Sequence, residues 1–250
     1  MPRRGYASRP SSSVVRLGSL PQSSEEDLKL IQDRIALFGL AAFLLTTMFL
    51  VAHSGLDLGL ADGQGFLTNS GRTCHLLATL AAFTTWQVAR RERIYSPAAL
   101  TWLDALGTVG ICVPFAAMGH FLKQPFGLYT ALLAILHVNV GRAALVPSVA
   151  LRTLAICGAS FVGVIVSRAI VSLPETPYPS ALRLRWVLEA ALWSGAGSCV
   201  ATLASHVIYG LHEKALEARQ LGQYELERKI GQGGMGEIYR ARHAMLRRPT

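Results

Sequence analysis

Charge is what this sequence is short of. Asp, Glu, Lys and Arg make up 16% of the 250 residues against 51% apolar residues, and mean hydropathy is +0.36. Soluble domains carry about 25% charged residues. The deficit sits in the middle of the chain, where uncharged runs of membrane-crossing length follow one another. That distribution argues against a soluble enzyme, a disordered chain and a disulfide-stapled secreted module. Cysteine is also scarce. Cys74, Cys112, Cys157 and Cys199 fall one each into four apolar segments, with no CxxC pair and no metal-ligand spacing. They read as small buried apolar residues. A signal peptide is not read either, because the first apolar run begins about 35 residues in and lacks a small-residue cleavage site. The longest outer loop, His53 to Arg72, is rich in Gly and Asp and suited only to turns, which leaves no room for an extracytoplasmic ligand-binding domain.

What is present is a succession of spans. A bilayer core needs about 20 mainly apolar residues per helix. Six segments meet or approach this: Ile35–Ala52, Thr73–Ala89, Ala99–Gly119, Phe126–Gly141, about Val149 to Ser172, and Arg185–Gly210. The fold expected for residues 35–210 is therefore a mainly α, polytopic six-helix transmembrane bundle. Residues 1–34, dominated by Ser, Pro and Arg, read as a disordered cytosolic tail. The tail ends in a short helix at the membrane surface that starts near Ser24.

Orientation follows from Lys and Arg in the flanks. The inner side would hold six basic residues of the tail, then Arg90, Arg91, Arg93, Arg142 and Arg152, eleven against five for Arg72, Lys123, Arg168, Arg183 and Arg185 outside. Both termini are expected in the cytosol. The net charge of +9 is spent on these flanks, so nucleic acid is not an expected partner; the lipid bilayer is.

Ionisable groups at membrane depth mark sites or structural pairs. Asp104 in span three and Arg152 at the start of span five lie at similar depth, and a structural ion pair is the expected arrangement. Glu189 stands one turn after Arg185 and reads as a local pair at the outer rim. His75, His120, His137 and His206 would invite haem ligation, but no two of them share a helix at a repeating spacing. Trp86, Trp102, Trp186 and Trp193 lie near span ends, as aromatic belts do. Ser194, Gly195, Gly197 and Ser198 form a small-residue patch suited to close packing or to a homodimer through the last span.

After Gly210 the chain changes character. Residues 211–223 are a polar helical connector, and from Tyr224 the pattern turns to alternation of apolar and charged residues. Gly231, Gly233 and Gly236, followed by Ile238, fit the G-x-G-x-x-G-x-aliphatic loop that folds over phosphates. Glycine suits such a loop because it permits positive φ and lets backbone N–H groups approach anionic oxygens. Dinucleotide-binding folds share the spacing but open a helix with it; here strand-like sequence lies on both sides, as in a hairpin with glycines at its tip.

The stretch from Tyr224 to Thr250 resembles the first two strands of a protein kinase domain of the bacterial eukaryotic-like serine/threonine branch, some members of which carry a multi-span region ahead of the kinase. The resemblance covers about 27 of 250 residues. It implies that residues 224–250 begin an α+β kinase domain, that Gly231, Gly233, Gly234 and Gly236 cover the phosphates of ATP, and that Ile230 and Ile238 wall the adenine. It implies Mg2+ as cofactor, protein Ser/Thr hydroxyls as acceptors, and a place in a bacterial inner membrane. The family's third-strand lysine, its HRD-type catalytic loop and its DFG-type metal ligand are not among these residues. The expectation is an N-terminal part of a membrane-bound kinase that is inactive alone, with no catalytic residue of its own. The competing expectation is a six-span transporter or membrane scaffold whose glycine loop is coincidental or a relic.

Overall fold

The computed structural model of the chain describes residues 25–59, 69–122, 125–171, 179–221, 224–233 and 236–243. Six helices come first: α1 (Glu25–Gly59), α2 (Asn69–Ala89), α3 (Pro97–Phe121), α4 (Phe126–Leu145), α5 (Ala150–Val171) and α6 (Ser180–Leu221). Two strands, β1 (Tyr224–Gly233) and β2 (Gly236–His243), follow and pair antiparallel. Five of the helices are long and apolar enough to cross a membrane. The exception is α2, whose 21 residues include Arg72, His75, Gln87 and four threonines.

The helices alternate in direction, and hydrogen bonds fix this at both ends. At one end, Gln32 near the start of α1 bonds to Ala89, the last residue of α2. There too, Arg142 in the last turn of α4 and Arg152 in the first turn of α5 meet Asp104 in the first half of α3. At the other end, Arg168 near the end of α5 reaches Gly119 near the end of α3, and Tyr129 at the start of α4 reaches Glu189 in the first part of α6. Between α1 and α3 in the chain, α2 packs against both. The first and last helical residues, Glu25 and Leu221, therefore point to the same end.

Polarity is inverted relative to a soluble bundle. Asp104, Asn139, Arg142 and Gln32 are fully buried, whereas Leu44, Leu80, Leu106, Leu188, Leu192 and Leu203 are exposed on the outside. Water would penalise such an apolar exterior; acyl chains do not, and Asp104, Arg142 and Gln32 find hydrogen-bond partners inside the bundle. The helical part is a membrane domain.

Local signals explain several boundaries. Ser96 Oγ accepts from the Ala99 N–H at 3.3 Å and Pro97 follows it, so α3 starts with a side-chain cap and a proline where no donor is needed. Pro147 stops α4, and the Val146 N–H closes its last turn on the Arg142 carbonyl at 2.8 Å. Glycine permits two close crossings. A Cβ on Gly39 would lie 2.7 Å from the backbone N of Trp86, and one on Gly119 would lie 2.6 Å from the Gly127 carbonyl oxygen.

Two sequence expectations need correction. The surface helix and the first span are one unbroken helix, α1, because nothing between Asp33 and Ile35 breaks it. The outer loop is shorter than His53–Arg72: α1 continues to Gly59 and α2 begins at Asn69. The connector continues the last span as a helix, as its sequence suggests, with α6 running without interruption for 42 residues to Leu221. Residues 1–24 of the tail lie outside the described residues.

Candidate functional site

Asp104 lies one face inward on α3, 0% exposed, and its carboxylate accepts three hydrogen bonds from two arginines. Arg142 grips it with two donors, Nε to Oδ1 at 3.0 Å and Nη2 to Oδ2 at 2.6 Å. This is the bidentate geometry a guanidinium favours. Arg152 Nη2 reaches Oδ2 at 2.7 Å and also donates to the Thr101 carbonyl at 3.1 Å. Two cations thus face one anion in a fully buried position. Among the described residues, Arg152 Nη1 is buried without a hydrogen-bond partner.

A chain of hydroxyls carries the cluster to α6. Arg142 Nη1 donates to Thr153 Oγ1 at 2.8 Å, and Thr153 in turn donates to Ser205 Oγ at 2.8 Å. Ser205 donates onward to the Ser148 carbonyl at 2.9 Å. Ser148 Oγ then sits 2.7 Å from Thr153 Oγ1, whose only hydrogen is committed, so Ser148 must be the donor. The direction of every bond follows from counting hydrogens. Four helices, α3, α4, α5 and α6, and the turn at Ser148 are tied at one end of the bundle.

The Asp104–Arg152 pair is the arrangement expected from sequence, whereas Arg142, expected among the inner-flank charges, is fully buried. An arginine that ends an apolar run looks alike in sequence whether it is a flanking charge or a buried ligand. Gln32, near the start of α1, is no more telling. The two hydrogens of its amide nitrogen are shared among the carbonyls of Ala89, Arg91 and Arg93, at 3.0, 2.8 and 3.1 Å, and its Oε1 accepts from the Tyr95 N–H at 3.1 Å. It thereby satisfies carbonyls that the end of α2 leaves open.

Other expectations divide. Glu189 Oε1 pairs with Arg185 at 2.7 Å as expected, and Oε2 also accepts from the Tyr129 hydroxyl at 2.9 Å. Arg168, read as a flank charge, is buried and donates to the Gly119 carbonyl. Trp186 is 5% exposed and belongs to the core rather than a belt, whereas Trp102 and Trp193 face outward. Cys74, Cys112 and Cys157 are buried as read; Cys199 is exposed on the outer face. In the small-residue patch, Ser194, Gly197 and Ser198 are buried within the bundle, and a Cβ on Gly197 would meet Leu136 and Phe161. Of that patch only Gly195 faces outward, and Ser194, Gly197 and Ser198 pack inside the chain. Among the described residues, no group of three or more His, Cys, Asp or Glu is placed to hold a metal ion.

The glycine segment forms the closed end of the strand pair. Gly231 faces Ile238, Gln232 faces Glu237, and Gly233 faces Gly236. The register slips between Lys229 and Gly231, which leaves Ile230 as an extra residue on β1, 59% exposed. Among the described residues, a Cβ on Gly231 would meet nothing within 4 Å, so packing among them does not account for its missing side chain. Gly234 lies outside the described residues.

No protein-family model, curated protein or solved structure matches this chain.

Proposed function

We propose that the chain is the membrane domain and opening nucleotide-binding strands of a serine/threonine protein kinase, held in a bacterial inner membrane with both termini in the cytosol. The observation that carries this reading is the register of the strand pair. Gly231, Gly233 and Gly236 stand at the closed end of two antiparallel strands, the context of a phosphate-covering kinase loop and not the strand-to-helix context of a dinucleotide fold. The open space around Gly231 suits a backbone that a phosphate approaches closely. ATP is the donor on this reading, and Ile230 and Ile238 would border its base. Mg2+ would balance phosphate charge, with its ligands outside these 250 residues.

The cytosolic placement draws support from charge. The bundle end that holds both Glu25 and Leu221 also carries the exposed Arg90, Arg91 and Arg93, as the positive-inside rule requires. Transport finds less support in the Asp104 cluster, whose carboxylate is saturated by two arginines in a packed interior, the mark of a structural clamp.

The test begins with the gene. The reading frame after codon 250 should encode an aliphatic-x-Lys within about five codons, then HRD-like and DFG-like motifs. Membranes holding the native product should transfer the γ-phosphate of ATP to Ser or Thr hydroxyls, and Gly233→Val should weaken ATP use. A native product that lacks those motifs, or shows no ATP-dependent transfer, refutes the proposal.

A further inference from the structure

Between α1 and α4, floored by α2 and α3, lies a cavity of about 330 Å3, within the range of small-molecule sites. It is long rather than round. Its walls run from Phe38 to His53 on α1 and from Leu145 back to Thr130 on α4, a length of about 22 Å along each helix at about 1.5 Å per residue. Small residues open the slot: Ala41 and Ala42 on one side, Ala134 and Gly141 on the other. Phe49 and Leu133 at its edge are 46% and 56% exposed. In a membrane domain that outer surface lies against lipid, so the mouth opens sideways onto acyl chains.

Little on the walls offers a polar grip. No Lys, Arg, Asp or Glu lines the slot. Three histidines do, His53, His75 and His137, but most of their nitrogens are engaged or covered. His75 Nε2 lies 3.0 Å from the Thr46 carbonyl oxygen, and His137 Nδ1 lies 2.7 Å from that of Leu133. A carbonyl can only accept, so both rings donate there. The Nδ1 atoms of His53 and His75 are buried, and the Thr46 hydroxyl donates to the Phe43 carbonyl at 3.1 Å. What remains at the surface is almost entirely carbon. Gly141 adds an independent observation. Among the described residues a Cβ there would meet nothing within 4 Å, so no contact with them demands a glycine, although glycine weakens a helix interior.

We propose that the slot is a binding site for one long alkyl chain of a bilayer lipid, which enters sideways between α1 and α4 and lies along their axes. Left empty, the walls forfeit dispersion contacts, and water would find too few polar partners to replace them. A hydrocarbon chain asks only for apolar surface, and the slot is continuous with the lipid-facing exterior through Leu45, Phe49 and Leu133. Its length suits a chain as well: about 22 Å is most of a hydrocarbon core about 30 Å thick. The bare backbone of Gly141 keeps one end of the slot open. This site is independent of any kinase activity.

The probe is a phosphatidylcholine with a photoreactive diazirine on its palmitoyl chain. It is titrated into the whole 250-residue chain held in an octyl detergent, whose tail is too short to fill the slot, and mass spectrometry maps the labelled residues after irradiation. Label on slot residues such as Leu45 and Ala134 should saturate, whereas label on Leu192 and Leu203, exposed on α6, should keep rising with probe. Gly141→Leu puts a side chain into the slot and should cut slot label about tenfold, the affinity that about two methylenes of contact supply. Ala134→Phe, which blocks the middle, should do the same. Gly158→Leu adds equal bulk on the outer face of α5, where a Cβ also meets nothing within 4 Å, and should leave slot label unchanged. Should the slot variants fail to fold, the contrast between slot and α6 in the unaltered protein decides. Slot label that rises in step with α6 label, slot label that survives both Gly141→Leu and Ala134→Phe, or crosslinks joining two chains through the slot in place of lipid label overturns the proposal.

Discussion

Replacing Asp104 by Asn separates a charge clamp from ordinary polar packing. The carboxylate accepts three charge-assisted bonds at 2.6–3.0 Å from two guanidiniums, all fully or nearly buried. Asn keeps the shape but withdraws the only anion of the cluster, which leaves two buried cations facing each other. Removing one partner of a buried pair costs about 3–5 kcal/mol. Arginines in the unfolded, membrane-inserted chain also find partners, which lowers the expectation to about 3 kcal/mol. That is about a hundredfold in the folded fraction and a large part of a total stability of about 5–15 kcal/mol. Arg152→Gln should behave differently. It removes the surplus cation together with its unpartnered Nη1 and leaves the bidentate Arg142–Asp104 pair intact, so its cost should stay below about 1 kcal/mol. The decisive variant combines both changes: Arg152→Gln added to Asp104→Asn should restore stability, because one buried cation without a partner is better than two. SDS titration of detergent-purified protein, followed by circular dichroism, measures all three. A cost for Asp104→Asn under about 1 kcal/mol, or a double variant weaker than Asp104→Asn alone, refutes the charge argument.

Three further outcomes follow from the packing. Gln32→Leu should cost about 1–3 kcal/mol and speed amide exchange at Tyr95, whose N–H it leaves open; unchanged protection at Tyr95 would show that the amide does not order this connector. Gly119→Val should destabilise by more than about 2 kcal/mol through overpacking against Gly127, whereas Gly158→Ala, with nothing within 4 Å, should be neutral or gain up to about 1 kcal/mol; thermal melts of the pair check the contrast. Single-cysteine labelling from either side of sealed vesicles should place positions 25 and 221 on one side, as the alternating helices require; labelling from opposite sides would contradict that alternation.

Helix positions were legible because long apolar runs leave few alternatives in a membrane. The pair of Asp104 with Arg152 was legible because a lone acid inside such a run needs a cation at its depth. Residues at the ends of runs were not. Arg142, Arg168 and Gln32 occur where polar residues are ordinary, and nothing local says that a neighbouring helix covers them. Trp186 follows the same logic, since a tryptophan near a span end looks interfacial until α6 is seen to begin at Ser180, six residues earlier. The cavity histidines could not be assembled at all, because the pairing of α1 with α4 skips two helices. For the glycine segment, alternation of apolar and charged residues pointed to strands, but only the register places Gly231 opposite Ile238.

The unbroken length of α6 has a consequence for whatever follows it. At 42 residues it extends about 63 Å, twice the thickness of the hydrocarbon core. Beyond Leu211 it is a rod whose root is pinned at Ser205. Deleting one residue from such a rod shortens it by only about 1.5 Å but swings everything downstream through about 100°. Deleting seven returns the original azimuth to within about 20°. The distal part of α6 therefore behaves as an angular setting: changes in its length should act periodically, with a heptad tolerated where a single residue is not.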